Sequence, residues 1–482
     1  MNFLDNPAYR GLGPAQLRWM ATTVHMGHWI PLTWLTLGLD HVLWGMDPRG
    51  YHLTSLLFHA ATAVAFYLLA CRLLERALPR ETPALDITLG AAASALLFAV
   101  HPLRVESVAW VTERRDVVSG LFFVLTLLAY LKMVEAPDGR RRAWYLTSLA
   151  LFVCALLSKS ITVALPVVLL VLDVFPLRRL GGDRGWGGRR VWVEPRVWIE
   201  KVPYVILAML AGMRAIQATP SSAQLPLEVF GIGPRLLISA SGLAFYVEKT
   251  VLPLGLSPLY AYTMHIGWGT LASVLGGAIL VAATWRRWPA LAGATVTYIA
   301  LLFPVLGLFA AGPQAVGDRY SYLPCLGWAL LAGGAVAWRW AGSRAVRAAA
   351  AAIVVVLVVL TVQQVRIWRD SLSLWSHAVA LEPANRLARI NLGGAYVEQG
   401  RIPEAIVQYR EVLRLSRDKA PWYAVLGWLY ARSGDVADAL PLLVEALRLE
   451  PGKPDACANA RQAVEILRVP APPELAGCPR AG

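Results

Sequence analysis

The chain has 482 residues and a formal net charge of +14, yet only 16% of its residues are charged and 57% are hydrophobic. A soluble domain carries roughly a quarter charged residues, so the composition excludes an ordinary soluble enzyme. The basic residues lie mainly between apolar runs, as the positive-inside rule produces in membrane proteins. Nucleic-acid binding is therefore a remote explanation for the positive charge.

The first fifty residues are mixed in polarity. Met1–Arg10 lacks the basic start and the apolar stretch of a secretory signal peptide. Tryptophans and short apolar runs between Met26 and His52 predict amphipathic helices that lie in the membrane interface. The polar points of this stretch are His25, His28, Asp40 and His41.

Apolar runs then recur at a length of roughly 15 to 22 residues, which suits helices that cross a hydrocarbon core of about 30 Å. We predict about ten spans, at 54–71, 87–100, 117–134, 143–157, 160–176, 202–217, 268–285, 288–311, 322–340 and 345–365. Segment 234–252 is interrupted by Glu248 and Lys249 and is interpreted as re-entrant, with a further span as the alternative.

This count of spans places every basic loop on one side, which the positive-inside rule makes cytoplasmic. The N-terminal segment, loops 101–116 and 312–321 and the chain after Val365 then share the opposite side. We refer to that side as the external face.

After Val365 the composition becomes that of a soluble protein, and a repeat of 34 residues begins. Leu392, Gly393, Tyr396, Gly400, Ala405 and Tyr409 are followed in register by Leu426, Gly427, Tyr430, Gly434, Ala439 and Leu443. Small residues where paired helices cross and large residues where they interdigitate are typical of the tetratricopeptide repeat.

These patterns predict an all-α chain in four parts. They are an external interfacial segment at 1–53, a polytopic transmembrane helical domain at 54–366, a short tetratricopeptide-repeat α-solenoid at 367–466 and a flexible Pro/Ala-rich tail at 467–482.

The cysteines are scattered and show neither a C-x-x-C motif nor metal-ligand spacing. We interpret them as small buried hydrophobic residues, so the sequence indicates neither a disulfide framework nor a zinc site. The five are Cys71, Cys154, Cys325, Cys457 and Cys478.

Loop 101–119 carries the densest ionisable cluster of the external face. Guanidinium groups pair well with phosphate oxygens, so the arginines of this loop suit a lipid-linked phosphate. An interhelical salt-bridge cluster is the alternative. The residues concerned are His101, Arg104, Glu106, Glu113, Arg114, Arg115 and Asp116.

Two further segments add charge. Lys159 starts the span at 160–176, lies on the same side as loop 101–116 and could join an anion site there. Asp173 lies near the far end of that span and is interpreted as structural, paired with the basic loop that follows. Asp318, Arg319 and Tyr320 of the sequence GDRYSYLP lead into another span, and a helix cap with an interface aromatic is the alternative there.

Four motifs in this order, followed by the repeats, resemble the transmembrane and tetratricopeptide-repeat O-mannosyltransferases and their bacterial relatives. They are HWIPLTWLTLGLDHVLWGMDPRGYHLTSLLFHA, HPLRVESVAWVTERRDVVSGLF, SKSITVALPVVLLVLDVFPL and GDRYSYLP. The resemblance implies a C-type glycosyltransferase superfold, in which a multi-helix membrane enzyme takes a sugar from a polyprenyl-phosphate carrier. It also implies a bacterial inner-membrane location with the active side and the repeats in the periplasm.

The resemblance also implies site roles. Arg104, Arg114, Arg115, Lys159 and Arg319 are the candidates that bind the carrier phosphate, and Asp5, Glu106 and Asp116 are the candidate catalytic carboxylates. Asp40, His101, Asp318 and Tyr320 would support the same face. The family expects an acidic residue in a loop after a first helix, and this sequence begins inside that loop. We therefore expect either an upstream start or a base that is lost or supplied by Asp5.

Two hypotheses of different classes follow. In the first, the protein transfers a hexose, mannose by analogy, from polyprenyl phosphate to a protein hydroxyl, with the repeats holding the acceptor or a partner. In the second, it is a non-catalytic membrane scaffold whose periplasmic repeats recruit other proteins. No histidine or carboxylate spacing forms a metal site, and the need for a divalent metal is left open.

Overall fold

The computed structural model describes residues 5–181, 194–218, 231–260, 268–308, 314, 316–338 and 343–479. Part of the basic stretch 178–201 and the ends of the predicted spans 288–311 and 322–340 lie outside these residues. Two compact units make up the chain: Met1–Leu256 with Tyr262–Val365, and Ser257–Ala261 with Arg366–Gly482.

The described residues are all-helical, apart from a single isolated bridge between His25 and His28. In chain order the α-helices are α1 Pro14–Thr22, α2 Pro31–Trp44, α3 Pro48–Ala77, α4 Ala84–Ala99, α5 Val105–Ala109, α6 Arg114–Glu135, α7 Asp138–Leu156, α8 Leu165–Val174, α9 Pro195–Ala218, α10 Ile232–Val251, α11 Trp268–Thr284, α12 Pro289–Leu302, α13 Cys325–Ala337, α14 Arg344–Ile367, α15 Ser371–Leu381, α16 Arg386–Glu398, α17 Ile402–Leu415, α18 Ala420–Ser433, α19 Val436–Leu449 and α20 Pro454–Leu467.

Within the described residues, three helical stretches are long and apolar enough to cross a membrane: Pro48–Ala77, Val111–Glu135 and Arg344–Ile367. The pair Ala84–Ala99 and Pro102–Ala109, bent by 53°, makes a fourth if it counts as one span. Other apolar helices have only 10–17 residues, short of the ~20 that a full crossing needs. The total of about ten spans therefore stays a prediction.

Helix α6 lies at the centre of the first unit. Of its most apolar stretch 72% is buried inside the protein, against 6% for the corresponding stretch of α14. Val117, Val124 and Leu131 are fully buried on it. The start of α6, which carries charged residues, is therefore held by a rigid core.

Helices α4 and α13 approach each other closely through glycine. A Cβ on Gly333 would lie 2.1 Å from the carbonyl oxygen of Gly90. Small residues let helix backbones touch in this way, and packing contacts replace the hydrophobic effect inside a bilayer.

Asp173 at the end of α8 binds the basic residues that follow it, as the sequence predicts. Its carboxylate lies 3.0 Å from NH1 of Arg179 and 2.6 Å from Nζ of Lys201. The hydroxyl of Tyr130 also donates to it, at 2.7 Å. This network ties α6, α8 and α9 together and leaves the carboxylate fully compensated.

The second unit consists of antiparallel helical hairpins with the predicted 34-residue spacing. A Cβ on Gly393 would lie 2.6 Å from the ring of Tyr409, and a Cβ on Gly427 would lie 2.6 Å from Leu443. Each pair joins the two helices of one hairpin, which explains why glycine and a large residue recur together.

The end of the chain differs from its prediction. Cys457 and Cys478 form a disulfide with a Cα–Cα distance of 5.8 Å, so the expectation that both are merely buried hydrophobic residues was wrong. Pro473–Gly477 forms a 3₁₀ helix, and Leu475 packs against the apolar core of α19 and α20. Residues 468–479 are therefore fixed to the last helices instead of forming a loose tail, because a covalent bond and the partly buried side chain of Leu475 hold them.

Candidate functional site

The charged residues of the candidate site meet where the helical path between α4 and α6 is broken. After Ala99 the chain makes two 3₁₀ turns and the short helix α5 before α6 begins at Arg114. Pro102 cannot continue a helix, so this stretch folds into compact turns. We call the group formed by Glu106, Glu113, Arg115, Asp116, Lys159 and Arg319 the charged cluster.

Glu113 is the centre of the charged cluster. Arg115 donates to both of its oxygens, through Nε at 2.8 Å and NH2 at 2.6 Å. Nζ of Lys159 lies 3.7 Å from Glu113 and also binds the carboxylate of Asp116. The hydroxyl of Ser107 donates to the other oxygen of Asp116 at 3.1 Å.

Arg319 reaches the cluster from the 3₁₀ helix Asp318–Ser321. Its NH1 donates to Glu106 at 2.5 Å, its backbone N–H donates to the second oxygen of Glu106 at 2.8 Å, and its Nε lies 3.2 Å from Glu113. The carboxylates raise the pKa of the Arg319 guanidinium against the opposing effect of burial. The ring of Tyr320 lies 4.7 Å from the same guanidinium.

In the charged cluster the cations are more exposed to solvent than the carboxylates. The side chains of Arg115, Lys159 and Arg319 are 14%, 9% and 8% exposed. Those of Glu106, Glu113 and Asp116 are 1%, 1% and 4% exposed. An anion that arrives from solvent therefore meets positive groups before it meets the carboxylates.

Arg114 lies outside the charged cluster and forms an ion pair with Asp40. Its NH2 lies 2.7 Å from Asp40, and both side chains are buried, with exposed fractions of 0% and 1%. Its Nε donates to Ser55 and its NH2 to the carbonyl oxygen of Tyr51. This arrangement joins α2, α3 and α6 and suits a structural role better than the binding of a ligand.

Arg104 is also buried but has a different environment. Its NH2 donates to Ser321 at 2.7 Å, and its guanidinium lies 5.6 Å from the rings of Phe98 and Tyr322. Among the described residues, Nε and NH1 of Arg104 have no hydrogen-bond partner. Arg104 therefore has two buried donors without a protein partner, and only 2% of the residue is exposed.

Three other residues of the predicted site, Asp5, His101 and Asp318, do not take part in the ion pairs of the charged cluster. Asp5 is exposed in the first described turn. Nε2 of His101 lies 3.0 Å from the carbonyl oxygen of Thr250 in α10. Asp318 is buried, and its carbonyl oxygen accepts from Ser321 at 2.6 Å.

The sequence marks His28 only as a polar point of the interfacial segment and gives it no role in the site. The backbone N–H of Leu32 donates to the carbonyl oxygen of Leu157, and the hydroxyl of Thr33 donates to that of Ser158, both at 3.1 Å. These bonds hold the first turn of α2 beside residues 157–158, which directly precede Lys159. The nearby positive charge of Arg115 is the main reason that the pKa of His28 is lowered to about 3.

Within the residues that the structure describes, no group of three histidine, cysteine or carboxylate side chains is arranged to hold a metal ion. The three carboxylates of the charged cluster instead bind arginine and lysine. The charged cluster therefore holds three cations in fixed positions against three carboxylates.

Comparison with known proteins gives one family match and several long relatives. The tetratricopeptide repeat family matches residues 387–419. Protein O-mannosyl-transferase Tmtc3 of Drosophila melanogaster is 24% identical over 91% of this chain, and Protein O-mannosyl-transferase TMTC1 of Homo sapiens is 26% identical over 86% of it. Protein O-mannosyl-transferase TMTC2 of Homo sapiens is 33% identical over 34% of this chain.

The chain spans about half the length of the relatives that it matches along most of its sequence. It covers 54% of Tmtc3 and 52% of TMTC1, and the match to TMTC2 covers 19% of that protein.

Proposed function

We propose that this chain, a relative of the protein O-mannosyl-transferases, is a membrane glycosyltransferase that moves a hexose from a polyprenyl-phosphate carrier to a protein hydroxyl. Mannose is the sugar by analogy with the printed names of the relatives. The observation that carries the proposal is the charged cluster, in which three segments far apart in sequence bring Arg115, Lys159 and Arg319 together around Glu113.

In this reaction the acceptor oxygen bonds to the anomeric carbon while the bond from that carbon to the carrier phosphate breaks. The electron pair of the broken bond goes to the phosphate, so negative charge develops on the leaving group. Arg115 and Lys159 are placed to stabilise that charge, and donors fixed before the reaction do so without a reorganisation cost. Arg319 and the reserve donors of Arg104 would bind the remaining phosphate oxygens.

The candidate carboxylates take different roles in the proposal. Glu106 and Asp116 are buried in ion pairs with Arg319 and Lys159, so they orient these cations toward the phosphate. Asp5 is the exposed member of the predicted catalytic set. It would contact the acceptor only if the acceptor binds against the N-terminal segment.

The repeats would bind the acceptor protein or a partner, because stacked helical hairpins form an extended groove. We place the protein in a bacterial inner membrane with the repeats in the periplasm. The disulfide between Cys457 and Cys478 supports an oxidising compartment for the repeats.

The test is reconstitution of the full chain in liposomes that contain a polyprenyl-phosphate mannose, with a serine- and threonine-rich peptide outside. We expect sugar transfer by the wild-type chain and at least ~100-fold less by Arg115→Ala and Lys159→Ala. Arg401→Ala is the matched control, since Arg401 pairs with Glu404 on the repeat surface. Full activity of both cluster variants would reject the phosphate-site assignment, and parallel reactions with a chelator would show whether a divalent metal is needed.

A scaffold without catalytic activity is the second candidate function. It is favoured by the fact that every carboxylate of the charged cluster is paired with a cation of the protein itself. A scaffold would retain partner proteins through its repeats and show neither transfer nor binding of polyprenyl phosphate. Binding of that lipid, measured by quenching of tryptophan fluorescence, therefore separates the two functions.

A further inference from the structure

We propose that Trp110 binds the hexose of the donor by stacking its indole ring against the C–H face of the sugar. This inference rests on the proposed function and adds a sugar subsite to the same site, which the predicted charged residues do not supply. Trp110 is 40% exposed. The side chains of Glu106 and Glu113, which precede and follow it in the loop, are each 1% exposed. A large aromatic ring therefore stays open to solvent beside the charged cluster.

The backbone of Trp110 is tied to two members of the charged cluster. Its N–H donates to the carbonyl oxygen of Glu106 at 3.1 Å, and its carbonyl oxygen accepts from the N–H of Glu113 at 2.8 Å. With φ of −86° and ψ of 106°, the residue is extended between α5 and the following 3₁₀ turn. Arg319 in turn pairs with both glutamates. Hydrogen bonds on both sides of Trp110 therefore fix its position relative to the cluster.

The ring of Trp110 contacts a cation of the cluster directly. Its centroid lies 5.6 Å from the guanidinium carbon of Arg319. The ring of Tyr320 lies 4.7 Å from the same guanidinium and 5.7 Å from Nζ of Lys159. The negative π cloud of an aromatic face attracts a cation, so these contacts keep both rings beside the two cations. Two aromatic rings thus border the groups proposed to hold the carrier phosphate.

This arrangement suits a sugar phosphate better than a phosphate alone. The hexose is joined to the carrier phosphate through one oxygen. A phosphate on Lys159 and Arg319 therefore brings the sugar within contact distance of rings that touch the same cations. A hexose ring has a face made mainly of C–H groups, which carry a small positive charge and pack on the negative face of an aromatic ring. Trp110 offers the larger and the more exposed of the two rings.

An exposed tryptophan of a membrane protein has an alternative role as an anchor among the lipid headgroups. An anchor stabilises the protein in the bilayer and acts equally on every lipid ligand. A ring that stacks on the sugar instead separates carriers that bear a hexose from carriers that do not. The two roles therefore differ in ligand discrimination, which a binding experiment measures.

The experiment measures binding of two radiolabelled lipids, polyprenyl-phosphate mannose and polyprenyl phosphate, to the full chain in detergent. Trp110→Ala should weaken binding of the mannose-bearing lipid about tenfold, the size of one aromatic contact, and leave that of the bare phosphate within about twofold. Trp110→Phe should retain most of the affinity, because it keeps an aromatic ring.

Trp288→Ala is the matched control and should bind both lipids as wild type does. Trp288 is 47% exposed and directly precedes α12. Among the described residues, no cation–π contact joins its ring to the charged cluster.

Equal affinity of the wild-type chain for the two lipids would overturn the sugar subsite. So would a Trp110→Ala variant that loses both lipids equally or loses neither, including one that only needs more acceptor peptide. A wild-type chain that prefers the mannose-bearing lipid but transfers no sugar would reject the proposed transfer and support the subsite. A wild-type chain that binds neither lipid would reject both.

Discussion

Arg115 donates two hydrogen bonds to Glu113, at 2.8 and 2.6 Å, while its neighbour Arg114 turns away to bind Asp40 at 2.7 Å. Successive residues of a helix point about 100° apart, so Arg114 enters the core and Arg115 reaches the charged cluster. The two side chains are 0% and 14% exposed. The two adjacent arginines therefore differ in partner and in exposure: Arg114 is buried against Asp40, and Arg115 is partly exposed on Glu113.

Substitution of the two arginines should separate stability from activity. Arg114→Ala leaves Asp40 as an unpaired buried charge, which costs ~3–5 kcal/mol, so we expect a lower midpoint of thermal unfolding in detergent. Arg115→Ala leaves Glu113 3.7 Å from Lys159 and 3.2 Å from Arg319, so its buried charge stays compensated. We therefore expect a smaller loss of stability than for Arg114→Ala, together with the loss of phosphate binding. Equal unfolding midpoints for the two variants would contradict this division.

The stability of the first unit should fall at acidic pH through His28. Its pKa is about 3 in the folded protein against an ordinary value of 6.5. Between these values the unfolded chain binds more protons than the folded chain, so stability decreases as the pH is lowered from 7 toward 3. His28 is exposed, and solvent reduces the size of the effect.

Thermal unfolding of wild type and His28→Gln between pH 7 and pH 4 measures this contribution. We expect the wild-type midpoint to fall more steeply with acid than that of the variant. Identical slopes would show that the cations of the charged cluster do not act on His28.

The sequence predicts the helical repeats well because their signal is local. Gly393 and Tyr409 face each other within one hairpin, and the 34-residue period repeats that contact at Gly427 and Leu443. The charged residues of loop 101–119 were also identified from composition, since charge at an apolar boundary is conspicuous.

The roles within that loop could not be predicted in the same way. Whether an arginine binds Asp40 or Glu113 depends on the direction in which a helix begins, and this is set by tertiary packing. The first turn of α2 comes to lie beside Lys159 through bonds from Leu32 and Thr33 to residues 157 and 158, which are 125 positions away in sequence. The disulfide was missed because Cys457 and Cys478 lie in no recognised spacing, and only the return of the chain end brings them together.

The two neighbouring glycines of α16 provide a test of hairpin packing. A Cβ on Gly393 would lie 2.6 Å from the Tyr409 ring, whereas a Cβ on Gly394 would have its nearest contact at 4.0 Å. Gly393→Ala should therefore destabilise the repeats by ~1–3 kcal/mol, and Gly394→Ala should stabilise them by up to ~1 kcal/mol through helix propensity. Protease resistance of the repeats at rising temperature measures both, and a destabilising Gly394→Ala would argue against this packing.

The disulfide should fix the end of the repeat array and report the compartment in which it forms. It closes a loop between residues 21 positions apart, for which the chain-entropy model gives ~3 kcal/mol. We expect a reductant to lower the thermal stability of the repeats, and Cys457→Ala to cause the same loss and to remove the sensitivity to reductant. Cys71→Ala is the control, because Cys71 is a free cysteine on α3.

Thiol counting in cells tests the location. Cys71, Cys154 and Cys325 are free in the structure. A maleimide reagent applied to acid-quenched, denatured protein should therefore modify three cysteines, and all five after reduction. Five reactive cysteines without reduction would mean that the repeats reside in a reducing compartment. That result would overturn the periplasmic placement, because a disulfide with this geometry forms and persists where the surroundings are oxidising.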